Sequence, residues 1–279
     1  MLWLLKLYSK LYKKFIFHHI LIRYNFIMTN KVIWITGASS GIGKALAIKF
    51  SNEGWQVAAS ARRENLLKEL NKKYPNIHSF SLDVTDSEKC KTVSVEILNK
   101  LKNIEICVFC AGIHDPQSEK KFSLDTIRQI METNFFGTIN SINSIIDYYK
   151  EKKSGQISIV SSVAGYRGLP AAGAYCASKS ALSSFAESLY FDMKRFNVRV
   201  SLINPGFIKT PMTDQNDFKM PMIKSPEFAA DQIYIGLTKK KSFEIHFPKS
   251  LTYMMKFIKI LPNWIYLKFI SWAMKFMKH

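Results

Sequence analysis

From residue 31 onward, short runs rich in β-branched residues alternate with longer stretches of helical, amphipathic spacing. The pattern predicts strands at 31–36, 56–60, 77–82, 104–110, 156–161, 198–203 and 243–247. Helices are predicted near 42–53, 64–73, 86–101, 123–151, 173–195 and 226–238. Parallel neighbours need long crossovers, helices of this length supply them, and such crossovers are right-handed. The alternation therefore predicts an α/β fold: a doubly wound parallel sheet of about seven strands between two helical layers. Nothing between 29 and 250 reads as a repeat or a linker, so that span is expected to be one domain.

The first strand runs into Thr36-Gly37-Ala38-Ser39-Ser40-Gly41-Ile42-Gly43 and straight on into a helix. Gly37 permits the turn, Gly41 lets backbone approach a pyrophosphate, and Gly43 lets the helix pack close to the strand. Phosphates would sit at the helix N-terminus, where free N–H groups and the helix dipole favour anions. An NAD site places an acid at the end of the second strand, for the ribose 2′-hydroxyl. Here Ala61 is followed by Arg62 and Arg63, a pair able to grip a 2′-phosphate, so NADP(H) is preferred over NAD(H).

Tyr175-Cys176-Ala177-Ser178-Lys179 opens a long helix, and positions i and i+4 share a helix face, so Tyr175 and Lys179 can share one site. A phenol ionises near pH 10. A neighbouring ammonium is expected to bring Tyr175 into range. Ser162 stands thirteen residues earlier at a strand end, where it can hydrogen-bond a developing alkoxide, whereas Ser161 should face the other way.

The Thr-Gly-x3-Gly-x-Gly spacing with Ser162, Tyr175 and Lys179 in this order resembles the short-chain dehydrogenase/reductase family. The resemblance spans about 29–250 and implies a Rossmann-type sheet of order 3-2-1-4-5-6-7. It implies hydride transfer between a nicotinamide cofactor and a carbonyl or alcohol, with Ser162, Tyr175, Lys179 and Asn134 as the catalytic set. In that family the asparagine holds a water that relays protons to the lysine. Cofactor contacts are implied at Gly37, Ser39, Ser40, Gly41, Ile42 and Gly43. They are also implied at Asp83 (the adenine amino group), at Ala111 and Gly112, and at Pro205, Gly206, Ile208 and Thr210, with Tyr175 and Lys179 touching the cofactor as well. Cys110 stands where the family usually has asparagine, which puts a sheet-bracing hydrogen bond in doubt. The resemblance further implies a homodimer or homotetramer. A rival reading keeps the fold as a catalytically silent NADP-binding sensor or scaffold.

Other features exclude alternatives. Cys107 and Cys110 form a C-x-x-C, but on a strand they face opposite sides, so no metal site is expected. Thr85 and Glu88 read as a capping box. The four cysteines exclude a disulfide scaffold and suit a reducing, cytoplasmic setting. Residues 211–225 carry Met212, Phe218, Met220 and Met222 among three prolines, suiting a lid over a lipophilic substrate rather than one long helix.

The formal net charge of +19 is concentrated at the ends. Residues 1–28 hold five basic residues and no acid, and 245–279 hold six and no acid. Both segments are rich in aromatic and aliphatic residues, and most of the cations are lysines rather than the arginines that read nucleic acid. Three parts are expected: a basic apolar extension at 1–28, the catalytic domain at 29–250, and a basic amphipathic helical tail at 251–279, broken at Pro262. Met28 also reads as a natural start, which would leave 1–27 outside the protein. Nucleic acid is not expected as a partner. The tail either contacts a membrane surface peripherally or packs on its own domain or a dimer partner.

Overall fold

The structure, a computed structural model, describes residues 31–218 and 220–277, with side chains described through residue 273. The segment expected at 1–28 lies outside the described residues. Seven parallel strands form one sheet of order β3-β2-β1-β4-β5-β6-β7, as the resemblance implied. They are β1 Val32–Thr36, β2 Gln56–Ala61, β3 Ile77–Ser81, β4 Ile106–Phe109, β5 Gln156–Val160, β6 Arg199–Pro205 and β7 Glu244–Phe247.

β1 is buried along its whole length because helices cover both faces of a parallel sheet. Its side chains alternate: Ile33 and Ile35 enter one core, Trp34 the other. Trp34 satisfies its indole N–H by donating to Ser60 Oγ on β2 at 2.9 Å. One face is covered by α1 Gly41–Asn52, which packs against α9 Pro226–Tyr234. The other carries α3 Ser87–Leu101 and α8 Gly173–Lys194, whose Leu182 and Ala186 join Phe109 and Ile159 in the second core. α2 Glu64–Lys73 presents Leu67 and Leu70 to the first core.

Strand register aligns the carboxyl ends. Thr36 of β1 stands beside Ser60 of β2 and Phe109 of β4. β1 and β4 are where the winding direction reverses, and loops leaving them in opposite directions open a crevice.

Two predicted local features differ. Thr85 does not cap α3. Asp86 does, accepting from the Lys89 N–H at 2.8 Å. Thr85 is diverted because Asp83 Oδ1 takes both its N–H and its hydroxyl. The expected helix at 123–151 is broken into α5 Leu124–Met131, a π turn at Glu132–Phe136, α6 Gly137–Asn143 and α7 Ile146–Lys152. The π turn holds Asn134, whose amide is drawn out of the helix by bonds to Ile113 and Ser178. A five-residue helix, α4 Pro116–Lys120, was not expected; Pro116 at its start and the Asp115 cap explain it.

The described residues of 211–225 form a short 3₁₀ turn at Thr213–Gln215 and a bridge from Lys224 to Ile208, and no long helix. Beyond β7 come α10 Lys249–Lys259 and α11 Asn263–Met277, separated at Pro262 as predicted. α10 turns Leu251, Met255 and Ile258 inward against Val163 and Tyr166. α11 is seated by Tyr266, which is buried, stacks under Arg167 and donates its hydroxyl to the Gly168 carbonyl.

Candidate active site

The glycine turn after β1 is built by close approach. Gly37 has φ +70°, and a Cβ there would lie 2.9 Å from Ala111 Cα. A Cβ on Gly43 would lie 2.4 Å from the Gly37 carbonyl oxygen, so α1 can abut the strand only with glycine there. The N-terminus of α1 has no side-chain cap at Ser40 and no acid in its first turn. Its free N–H groups therefore face the crevice as an anion site. Arg63 reaches across from the end of β2, donating to Ser39 Oγ at 2.8 Å and Ser40 Oγ at 2.6 Å. Arg62 is largely exposed at the same rim, 3.9 Å from Asp83 Oδ2.

These groups border one cleft of about 440 Å³. One end is lined by Gly37, Ser39, Ser40, Gly41, Ile42 and Gly43, with Arg62, Arg63 and Asp83 beyond them. Ala111 and Gly112 form its middle. Ser162, Tyr175 and Lys179 line the far end, under the loop carrying Pro205, Gly206, Ile208 and Thr210. Thr36 Oγ1 accepts from the N–H groups of Cys110 and Ala111, so β1 braces the β4 end despite the cysteine. The cleft has the uncapped helix end and the cation pair that a dinucleotide phosphate needs, and glycines where its backbone approach is closest.

Tyr175 lies in the first turn of α8, and Lys179 follows one turn later on the same face, with Nζ 5.7 Å from the Tyr175 ring centroid. Lys179 Nζ donates to the Val160 carbonyl at 2.9 Å. Burial pushes the lysine down to about 8, the nearby Cys110 acting in the opposite sense. Burial likewise pushes Tyr175 up to about 12, against a hydrogen bond from Ser162 that lowers it. The expected lowering by Lys179 is not evident: its ammonium is committed to Val160 and lies over the ring. Ser162 also accepts from the Ala164 N–H. Ser161 faces away, donating to the Lys179 carbonyl at 2.8 Å.

Asn134 does not line the cleft. It is fully buried behind Gly112, accepting from the Ile113 N–H at 2.7 Å and donating to Ile113 O and Ser178 Oγ. A Cβ on Gly112 would lie 3.2 Å from Asn134 Oδ1 and 3.6 Å from Lys179 Nζ, so both groups border the space that a Gly112 side chain would fill. Cys107 and Cys110 lie on opposite sides of the sheet, the first bonded to the Tyr149 hydroxyl, the second packed against the other core.

Two residues at this end escape sequence reading. His114 lines the cleft and lies against the Tyr175 ring. Glu119 on α4 is almost wholly buried and places Oε2 2.7 Å from the Ala174 N–H, capping a helix whose own N-cap, Ala172, offers no side chain. Its other oxygen is 3.3 Å from His114 Nε2. The signal for both, a histidine after Cys-Ala-Gly-Ile and an acid five residues on, has no periodicity.

Fold and cleft together define a dinucleotide-dependent oxidoreductase. The sequence matches the family model described as short chain dehydrogenase over residues 31–220, and the chain belongs to that family. It is 32% identical over 240 residues to an uncharacterized oxidoreductase of Myxococcus xanthus, covering 85% of this chain and 94% of that one. It is 30% identical over 192 residues to a 3-ketodihydrosphingosine reductase of Bacteroides thetaiotaomicron, covering 68% of each. A short chain dehydrogenase from Burkholderia cenocepacia in complex with NADP superposes with TM-score 0.74 at 22% identity, covering 86% of this chain and 98% of that one.

Proposed function

We propose that this oxidoreductase interconverts a carbonyl and an alcohol with NADP(H), on a lipophilic substrate. The observation that carries the reading is the convergence of Ser162, Tyr175 and Lys179 at one end of a cleft whose other end is an uncapped helix N-terminus beside two arginines. NADPH, when bound, supplies hydride to the carbonyl carbon. Tyr175, held protonated by burial, donates its phenolic proton to the carbonyl oxygen as the alcohol forms. Ser162 Oγ hydrogen-bonds the same oxygen and orients it. Lys179 would hold the nicotinamide ribose and pass a replacement proton to Tyr175. Asn134 clamps the Ile113 backbone, next to Gly112, and would hold the water from which Lys179 is recharged.

Arg62 and Arg63, with Ala61 in place of an acid, favour NADP(H) over NAD(H), and the Burkholderia relative in fold binds NADP. The lipophilic substrate is supported by Phe218 of the lid, whose ring meets Phe207, and by a relative named for a long-chain base ketone. A homodimer or homotetramer and a cytoplasmic protein touching a membrane surface through its termini belong to the same reading. Loss of NADPH absorbance over a panel of ketones of increasing chain length tests it. Turnover that rises with chain length supports it; NADPH binding with no turnover on any carbonyl would leave a silent sensor instead.

A further inference from the structure

α10 and α11 are apolar on more than the face they bury. Along α10, Leu251, Met255 and Ile258 point into the domain, while Tyr253, Phe257 and Ile260 repeat the same spacing on the opposite side. α11 exposes Trp264 and Leu267 as well. Phe257 is 63% exposed, Ile260 76%, Trp264 65% and Leu267 61%, so most of each side chain is in water. Singly exposed apolar residues are ordinary, but so many on two successive helices are not.

Charge says what covers them. Glu244 is the last acidic residue of the chain, and Lys256 already satisfies it at 2.5 Å. Among the described residues no ion pair joins Lys249, Lys259 or Lys268 to a carboxylate, though Glu244 acts on Lys249 at longer range; Lys249 lies over Tyr253, Lys259 over Tyr166 and Lys268 over Trp264. A second copy docked by two-fold symmetry would set these lysines against their own equivalents. Aromatic residues ringed by lysines match instead the boundary between anionic headgroups and acyl chains. Among the described residues no helix is long and apolar enough to cross a membrane, so the helices would lie along the surface.

The start of α10 adjoins the loops around the cleft. Leu251 at the start of α10 packs against Gly206 of the cofactor loop, and Ser250 Oγ lies 3.2 Å from Met222 Sδ in the lid. Met222 and Ile223 are themselves exposed. We infer that the outer face of α10 and α11 docks on an anionic bilayer surface. Any benefit to catalysis would rest on the lipophilic substrate proposed above; the docking does not.

The test is co-sedimentation of the full chain with phosphatidylcholine vesicles, with and without phosphatidylglycerol. Two variants accompany it: Phe257→Ser with Trp264→Ser and Leu267→Ser, and Lys259→Glu with Lys268→Glu. Binding is expected only with phosphatidylglycerol, weakened by salt, and weakened by roughly tenfold or more in each variant. Absence of wild-type binding overturns the inference. So does undiminished binding by the charge-reversed variant, or conversion of a wild-type oligomer into monomers by the serine variant. Reduction of a water-soluble ketone without vesicles is measured in parallel. Vesicle binding without any turnover would sink the reductase reading alone, and turnover without vesicle binding would sink the docking alone.

Discussion

The imidazole of His114 lies against the phenol ring of Tyr175, centroids 4.5 Å apart and planes tilted by 32°. Burial lowers the histidine's pKa, so a neutral ring backs the proposed proton donor at neutral pH. Behind both stands Glu119, whose carboxylate reaches the backbone of the turn that presents the phenol. Tyr175 is thus held by α4 as well as by its own helix.

Tyr175→Phe removes the transferable proton and leaves the ring in place. Turnover is expected to fall by about 10³-fold or more, with the NADPH dissociation constant changed less than about threefold. Steady-state rates and NADPH fluorescence titration check this, and retained turnover would remove Tyr175 from its role.

Replacing both Arg62 and Arg63 by alanine removes the cations at the 2′-phosphate end. The KM for NADPH is expected to rise by about tenfold or more while that for NADH moves little. Equal changes for both cofactors would defeat the NADP(H) preference.

Lys179 gives a pH prediction of definite sign. Its pKa falls from 10.5 in the unfolded chain to about 8 when folded. Below about 8 the fold must bury a charge, so the cost is fully present there and disappears as pH rises toward 10.5. In that window the unfolded chain binds more protons, and wild-type stability gains up to about 3 kcal/mol from this residue alone. Lys179→Met lacks the titration, so its stability relative to wild type should decline across the window. Urea unfolding at both ends measures it, and a constant difference would contradict the buried, depressed lysine.

Glu119→Ala uncaps α8 and exposes no replacement acceptor. Stability is expected to drop by about 1–3 kcal/mol, with Glu119→Gln recovering most of it because an amide oxygen can still accept. Chemical denaturation of the pair checks this. Equal losses in both variants would show that the cap depends on the negative charge.

The alternation of strands and helices, the glycine turn and the Tyr-Lys spacing were legible because each follows from a period or a contact of fixed length, whereas the strand order came with the family resemblance. Gly43 has to be glycine where a helix meets a carbonyl oxygen, and Lys179 has to share a face with Tyr175 four residues earlier. The π turn at Asn134 was not legible, since it arises from bonds to Ile113 and Ser178, residues distant in sequence. Thr85 misled for a similar reason: Asp83 competes for its hydroxyl, and no local pattern says which partner wins. Lys179 misled in its electrostatics, because sequence shows neighbours but not the Val160 carbonyl that holds its ammonium. The cap at Glu119 joins two helices that no periodicity connects.

Consecutive residues of α4 hold different parts of the molecule. Glu119 grips the backbone of the catalytic helix from a nearly dry position, while Lys120 reaches Asp217 in the lid at 2.5 Å with both partners in solvent. An exposed ion pair of that kind contributes at most about 1 kcal/mol, less than a buried carboxylate cap. Were the segment around Asp217 to open, the outer tether would yield first, leaving the buried support of the Tyr175 turn unstrained.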